Sequence, residues 1–321
     1  MTISINETDR LEILTLQDNY IDLAVGDSTA VLRRALPVKG SKLRSSVLAE
    51  HGFSALITLF KGAESHQVLF DFGWSESGTA FNVDTLDVNL RDVEALVLSH
   101  GHIDHFGGLG KLVERVGRKG IELVLHPAAF RHSRHIELIV SPTEQRRVDL
   151  PAFVRENVRD IGVTVVEKKE PYLLLEGLLL FLGEIRRTSD FERGMPNAYY
   201  EENGEAKHDP IEDDTAIVAN VKEHGLVILA GCAHSGIINI VRYAREVTGV
   251  GKVFVVMGGF HLTGPEYASI IRPTTDALKD IGPRYVVPTH CTGRNAAMHI
   301  EKEMSREFLL NMVGTKLTFS A

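Results

Sequence analysis

Residues 100–105 read His100-Gly101-His102-Ile103-Asp104-His105, four side chains able to ligate a metal within six positions. Imidazole nitrogen and carboxylate oxygen are the donors that catalytic zinc uses, and the same set holds iron or manganese. In a tight loop His100 and His102 can grip one ion while Asp104 and His105 turn toward a second. Gly101, Gly107 and Gly108 let the backbone fold closely around such ions. Two ions need about three or four ligands each, with a position left open for water or substrate, so the segment must recruit donors from elsewhere.

Four apolar runs end in histidine: VEALVLSH at His100, LVILAGCAH at His234, VFVVMGGFH at His261 and YVVPTH at His290. In layered α/β folds the loops leaving strand ends are where sites assemble from distant parts of a chain. His234 and His290 are the natural completions of the ligand set. Two ions about 3.5–4 Å apart share a hydroxide, bring its pKa toward neutrality and stabilise charge in a displacement. His261 is then left to face substrate, where an imidazole stabilises an oxyanion or protonates a leaving group. His126 also ends an apolar run, but Pro127 follows at once, and it reads as structural.

Cys232 and Cys291 adjoin proposed ligands. A thiolate can bind zinc, but close packing of a small thiol is the simpler reading for both. Glycines in GCAHSG and HCTG border helices whose N-terminal N–H groups can receive a phosphate or carboxylate. A phosphorylated or acidic substrate fits that arrangement. Arg186, Arg187 and Arg193 are candidate counter-charges, set against the default of a solvated charged loop.

The elements that must position these groups follow from periodicity. Strands are expected at 11–16, 53–60 and 67–73, with an irregular polar loop over about 26–46. A strand at 93–100 leads to a helix at 109–116 and a strand at 121–126. Further strands fall at 162–169, 178–185, 215–221, 225–231, 253–259 and 285–290. Helices are expected at 235–247, 266–280 and 295–310. Early strands followed by strand–helix alternation imply an α/β sandwich, sheets inside and helices outside. The chain reads as one domain over 1–321, with an insertion at 128–160 and a polar loop at 186–212 over the site.

Composition narrows the function. Of 321 residues 44% are hydrophobic and 24% charged, which supports a real core. Lys and Arg number 35 against 43 Asp and Glu, a net charge of −8, so a sequence-blind nucleic-acid binder is disfavoured. No apolar run approaches the ~18 residues that span a bilayer, and the first residues do not read as a secretion signal. Two cysteines point to a reduced, cytoplasmic setting. The expected partner is a small-molecule substrate, with no nucleic acid and no membrane, and with assembly into a homo-oligomer left open.

LFDFG (69–73), LSHGHIDHFGGL (98–109) and VVPTHCTG (286–293) together resemble the metallo-β-lactamase-fold superfamily over most of the chain. GEI (183–185), FE (191–192), DD (213–214), GCAHSGIINI (231–240), GGFHL (258–262) and P-x-HCTG (288–293) resemble its branch of dihydropterin-ribofuranosyl-aminobenzene phosphate synthases. The resemblance implies an αββα sandwich, two mixed sheets inside with helices on the outer faces. It implies that His100 and His102 hold one ion, that Asp104, His105 and His290 hold the other, and that Asp71 lies beneath, orienting the loop. Glu184 stands where many relatives carry a further His, and Cys232 where they carry a bridging Asp. His234 is taken as the further ligand of the first ion, with Glu184 as its rival. Asp104 and His261 are assigned catalytic roles.

The expected cofactor is one or two divalent ions, zinc first, with iron or manganese as alternatives. The expected activity is metal-dependent hydrolysis by a metal-bound hydroxide of a small, anionic or phosphorylated ester, lactone, amide or phosphoester. Two other readings stand beside it: the branch's synthase, a transferase, and a non-catalytic metal-bound ligand sensor.

Overall fold

The computed structural model describes residues 2–36, 38–141 and 144–321. Two mixed β-sheets lie face to face. In the first, of eight strands, Arg10–Gln17, Ser54–Lys61 and Glu64–Phe70 run antiparallel in that order, and Val93–Val97, Glu122–Leu125 and Thr164–Glu167 continue in parallel. Lys316–Ser320 pairs with the other side of Arg10–Gln17. The second sheet runs Tyr172–Leu174, Leu179–Phe181, Ala216–Val221, Gly225–Ala230, Val253–Gly259 and Tyr285–Thr289, its last three strands parallel.

The strands AIVANV and GLVILA are buried along their whole length. Both of their faces are covered, as the unbroken apolar runs require. Between the sheets Phe53, Ile57 and Phe70 pack with Val227, Leu229, Met257 and Val287 in one core. Helix Ile237–Thr248 lays Ile237, Ile240, Val241 and Ala244 on the outer face of the second sheet. Helices Gly78–Thr85 and Leu109–Val116 cover the outer face of the first. The αββα sandwich expected from the sequence is the observed fold.

Parallel register gathers the strand ends that matter. Phe70 pairs with Val97, which sets Asp71 beside the Ser99–His100 turn. Ala230 pairs with Gly258, and Gly259 with Thr289, so Cys232, His261 and His290 leave neighbouring strands.

Some expectations need correction. The segment 26–46 is not wholly irregular: Leu32–Arg33 pairs with Lys316–Ser320, and Val38–Lys39 with Lys42–Leu43. The helix expected from 266 begins at Ile271, after a 3-10 turn at Pro265–Tyr267, and the one expected to 310 ends at Glu303. Pro273 falls in the first turn of its helix, where its missing N–H costs nothing. The insertion expected at 128–160 and the polar loop expected at 186–212 come together. They contribute Arg134–Ser141, Glu144–Asp149, Ala198–Glu202 and Glu205–His208 to one four-stranded antiparallel sheet.

That small sheet is tied to the sandwich by ion pairs. Arg134, almost wholly buried, pairs with Asp213 and, through Nε at 2.8 Å, with Asp209. Asp213 in turn accepts the Gly101 N–H at 2.8 Å, which braces the histidine loop. Burial works against the Asp213 charge, but the Arg134 guanidinium outweighs it and holds the carboxyl at about 2. Removing one member of a buried pair strands the other. Arg134→Met is therefore expected to cost about 3–5 kcal/mol in urea denaturation; a loss below about 1 kcal/mol would show that the network is incidental.

Candidate metal centre

Asp71 follows strand Glu64–Phe70 with φ 57°, a left-handed conformation that a non-glycine residue adopts at a cost. Its Oδ1 accepts the Ser99 N–H at 2.7 Å and its Oδ2 accepts the Ser99 hydroxyl at 2.8 Å. Oδ2 also accepts from His105 Nδ1 at 2.6 Å. That bond places the His105 proton on Nδ1 and turns Nε2 toward the centre, the orienting role that carboxylates play behind metal-bound imidazoles. Gly231 is required behind this triad, since a Cβ there would lie 2.1 Å from Ser99 Oγ.

His105 Nε2 lies 3.1 Å from Cys232 Sγ. Asp104 Oδ2 is 3.0 Å from His290 Nε2 and 3.6 Å from His105 Nε2. These four residues bring one donor atom each within 4.8 Å of one another, and so do His100, Cys232 and His234. His102 joins the second group, its Nδ1 facing His100 Nε2 at 3.1 Å. His100, His102, Asp104, His105, His234 and His290, drawn from three separate strand ends, thus meet in one place. Cys232 is common to both groups, which goes beyond the packing role expected for its thiol. A sulfur occupies the position between the two donor sets where relatives were expected to carry a carboxylate.

The residues fit a divalent cation. Both ring nitrogens of His234 are buried and lack a hydrogen-bond partner, with the His100, His102 and His261 rings 4.8, 5.0 and 4.2 Å away between centroids. An orphaned buried imidazole is costly unless something fills its lone pair. Burial, reinforced by neighbouring cations, holds His100 and His234 well below the usual imidazole range and His102 at about 4. These rings are neutral at physiological pH, the form that ligates metal. His105 differs. Burial would lower it, but Asp71 and Asp104 outweigh that and lift it to about 9. In turn the His105 and His290 rings hold Asp104, despite burial, well below the carboxylate range.

Glu184 stands outside this cluster. The Gly183 backbone is left-handed at φ 69°, so the chain turns just after strand Leu179–Phe181 and leaves the Glu184 side chain half exposed. Its carboxylate is 3.7 Å from His126 Nε2. His126 itself caps the 3-10 turn Pro127–Phe130, accepting the Ala128 N–H at 3.2 Å. Of the two candidates for completing the first donor set, the structure brings in His234 and leaves Glu184 out.

The helix N-terminus in GCAHSG is already occupied. Glu192 accepts the Ile238 and Asn239 N–H groups at 2.8 and 2.9 Å, and Asn239 Oδ1 accepts those of Thr188 and Ser189. These bonds clasp the segment 188–192 onto helix Ile237–Thr248. Arg186 pairs with Glu246, Arg187 donates to the Pro210 carbonyl, and Arg193 Nε donates to that of Asp190 at 3.2 Å. Of the three arginines only Arg193 lines the cavity of about 500 Å³ that opens beside His234 and His261. Phe191, Phe260, Leu262 and Tyr267 form its apolar walls. His261 Nδ1 and Tyr267 Oη are buried without partners, the two rings in edge contact at 5.0 Å.

Three supporting residues escaped the sequence reading. Asn19 Oδ1 faces His290 Nδ1 at 3.1 Å, Asp18 Oδ1 accepts the His290 N–H at 2.9 Å, and His51 Nε2 lies 3.8 Å from Asp104 Oδ2. Their signal is faint: polar residues just past strand Arg10–Gln17 and just before strand Ser54–Lys61. Ala233, His261 and His290 share with Asp71 a positive φ, 55°, 45° and 43°. Strain of this kind gathers where a site over-determines the backbone.

Residues 51–290 match the family model of the metallo-beta-lactamase superfamily. The chain belongs to that superfamily. Over 311 residues, 96% of each chain, it is 28% identical to the 7,8-dihydropterin-6-methyl-4-(beta-D-ribofuranosyl)-aminobenzene-5'-phosphate synthase of Methanocaldococcus jannaschii. An uncharacterized protein of the same organism is 29% identical over 255 residues, 77% of this chain and 86% of that one. Among solved structures, Tm1679, a metal-dependent hydrolase of the β-lactamase superfamily, superposes with a TM-score of 0.70 at 25% identity, covering 97% of this chain and all of the other. YhfI from Bacillus subtilis, a metallo-β-lactamase-fold protein, gives 0.51 at 13% identity over 97% of this chain and all of the other. Among the described residues no helix is long and apolar enough to cross a membrane.

Two expectations follow. Asp71→Asn places an amide where a carboxylate receives the His105 proton, and metal affinity measured by chelator competition should fall about 10–100-fold; unchanged affinity would remove Asp71 from its orienting role. Burial lifts the Glu192 carboxyl to about 7 from its ordinary 4.5, against the backbone bonds that favour its ionised form. The folded chain therefore holds this proton more tightly than the unfolded chain, and the stability it brings is complete below pH 4.5 and lost as pH rises through about 7. Urea midpoints across that window should decline more for wild type than for Glu192→Gln, and parallel profiles would contradict the assignment.

Proposed function

We propose that the chain is a metal-dependent hydrolase of a small, anionic or phosphorylated molecule, with residues 1–321 working as one catalytic unit. The observation that carries this reading is the pair of unpartnered, buried nitrogens of His234 set among the other imidazoles. His100, His102 and His234 would hold one ion, Asp104, His105 and His290 the other, and Cys232 belongs to both sets. Zinc suits this mixture of imidazole, carboxylate and thiol best, with iron or manganese as alternatives. When bound, a divalent ion supplies Lewis acidity toward an ester, lactone or phosphoryl oxygen.

The chain's own groups do the rest. Asp71 and Asn19 hold the His105 and His290 rings by their Nδ1 atoms, which leaves both Nε2 atoms facing Asp104. His261 Nδ1 and Tyr267 Oη border the cavity and are free to bond an oxygen of a bound molecule. A positioned imidazole there can protonate a leaving group. The apolar walls exclude water from around the reacting bond, and Arg193 at the rim supplies positive charge for an anionic end.

A second reading is favoured by the likeness to the Methanocaldococcus jannaschii synthase, which extends over 96% of both chains. In that case the same donors orient an anionic substrate for transfer to a second organic molecule. The two readings separate on stoichiometry of substrates: a hydrolase turns over esters, lactones or phosphoesters with water alone, whereas a synthase is silent until a second organic substrate is added.

Metal analysis should find ions in wild type, and His102→Ala should lose metal and turnover together. His261→Ala should keep the ions of the His–Asp sets and lose about 10²-fold or more in turnover. Full metal and full turnover in His102→Ala would sink the proposal.

A further inference from the structure

Beyond the two donor sets just described, Cys232, His261 and Cys291 bring a third trio of donor atoms within 4.8 Å of one another. We propose that this trio is a separate site for a thiophilic divalent ion, sharing Cys232 with the His–Asp centre and opening on the cavity beside His261. Both thiols are almost wholly buried, and neither is in a disulfide.

Several features of the backbone build the trio. Cys291 and His261 leave adjacent parallel strands, Tyr285–Thr289 and Val253–Gly259, and Cys232 leaves the next strand, Gly225–Ala230. His261 is held at φ 45° just past its strand, with its ring against that of His234 on one side and Tyr267 on the other. Gly259 makes room for the Cys291 sulfur: a Cβ at that position would lie 2.5 Å from Cys291 Sγ.

Donor chemistry selects the ion. Two sulfurs and one imidazole nitrogen, with no carboxylate in the trio, suit zinc-group ions and disfavour magnesium, calcium or manganese. Access is direct, because His261 lines the cavity of about 500 Å³, and a fourth position on that side can take water or an exogenous ligand. The competing account is close packing alone, with the Cys291 thiol directed at the Cys232 carbonyl at 3.6 Å. That contact satisfies one thiol but leaves His261 Nδ1 buried and unpartnered, and an ion held by this ring would replace the proton-donor role given to it above.

The inference does not rest on the hydrolase reading, and one titration tests the two apart. The metal-free full-length chain is titrated with cadmium, reading the number of equivalents bound and the ultraviolet sulfur-to-cadmium absorption. Cys291→Ser should bind one equivalent fewer than wild type and lose a share of the absorption, and His261→Ala should match it in equivalents. His102→Ala should lose ions of the His–Asp centre while keeping the absorption that Cys291→Ser loses. Circular dichroism of each variant verifies that it is folded, and Cys291→Ala replaces the serine variant should that one unfold. Equal equivalents and equal absorption in wild type and the Cys291 variant would overturn the proposal, whatever His102→Ala does; loss of all cadmium in His102→Ala would also overturn it as a separate site.

Discussion

The carboxylate of Asp71 is the contact on which the centre depends. Fully buried and fixed by a left-handed backbone, it joins the end of one strand to the turn that leaves the next, through Ser99, and to the ring of His105. A buried carboxylate is tolerable only with its hydrogen bonds made, and here they come from the loop that it positions. Fold and site are therefore joined at one residue. The parallel register that brings Phe70 beside Val97 is what allows the carboxylate to reach that turn.

The second sheet supplies its donors by the same device, three parallel strands with a chemically useful residue just beyond each. It differs in where the cost is met. His261 and His290 hold positive φ values, and their strain is carried by strands buried on both faces and by the helices laid over them. The four-stranded sheet adds a brace from outside, carrying Arg134 to Asp213 and, through it, to the Gly101 amide.

Much of this arrangement was readable in the chain itself. Histidines that close apolar runs announce strand ends, and the six proposed ligands His100, His102, Asp104, His105, His234 and His290 do converge. Helix Leu109–Val116 falls where its spacing puts it. Glu184 was harder, because its strand ends at Phe181 and the Gly183 turn, invisible to hydrophobic periodicity, directs it outward. Asn19, Asp18 and His51 act through contacts with residues far along the chain, for which local pattern offers no cue. Glu192 lay within a recognised motif, yet its task, closing the very helix end that looked open to an anion, is a tertiary fact. The pairing of 134–149 with 198–208 was hidden for a similar reason: EQRRVD and EAKH are strongly polar and lack the alternation that marks a half-buried sheet.

The pairing of Arg10–Gln17 with Lys316–Ser320 has a consequence for how the molecule is made. Residues 10–17 fill one side of their strand with Ser54–Lys61, but the other side waits for Lys316–Ser320, which is translated after every other strand of the sandwich. During that interval an unpaired row of backbone amides and carbonyls is on offer to any extended segment nearby. Closing so distant a contact is slow on entropic grounds, so the nascent chain runs its greatest hazard of mispairing along this seam, far from the residues that do the chemistry.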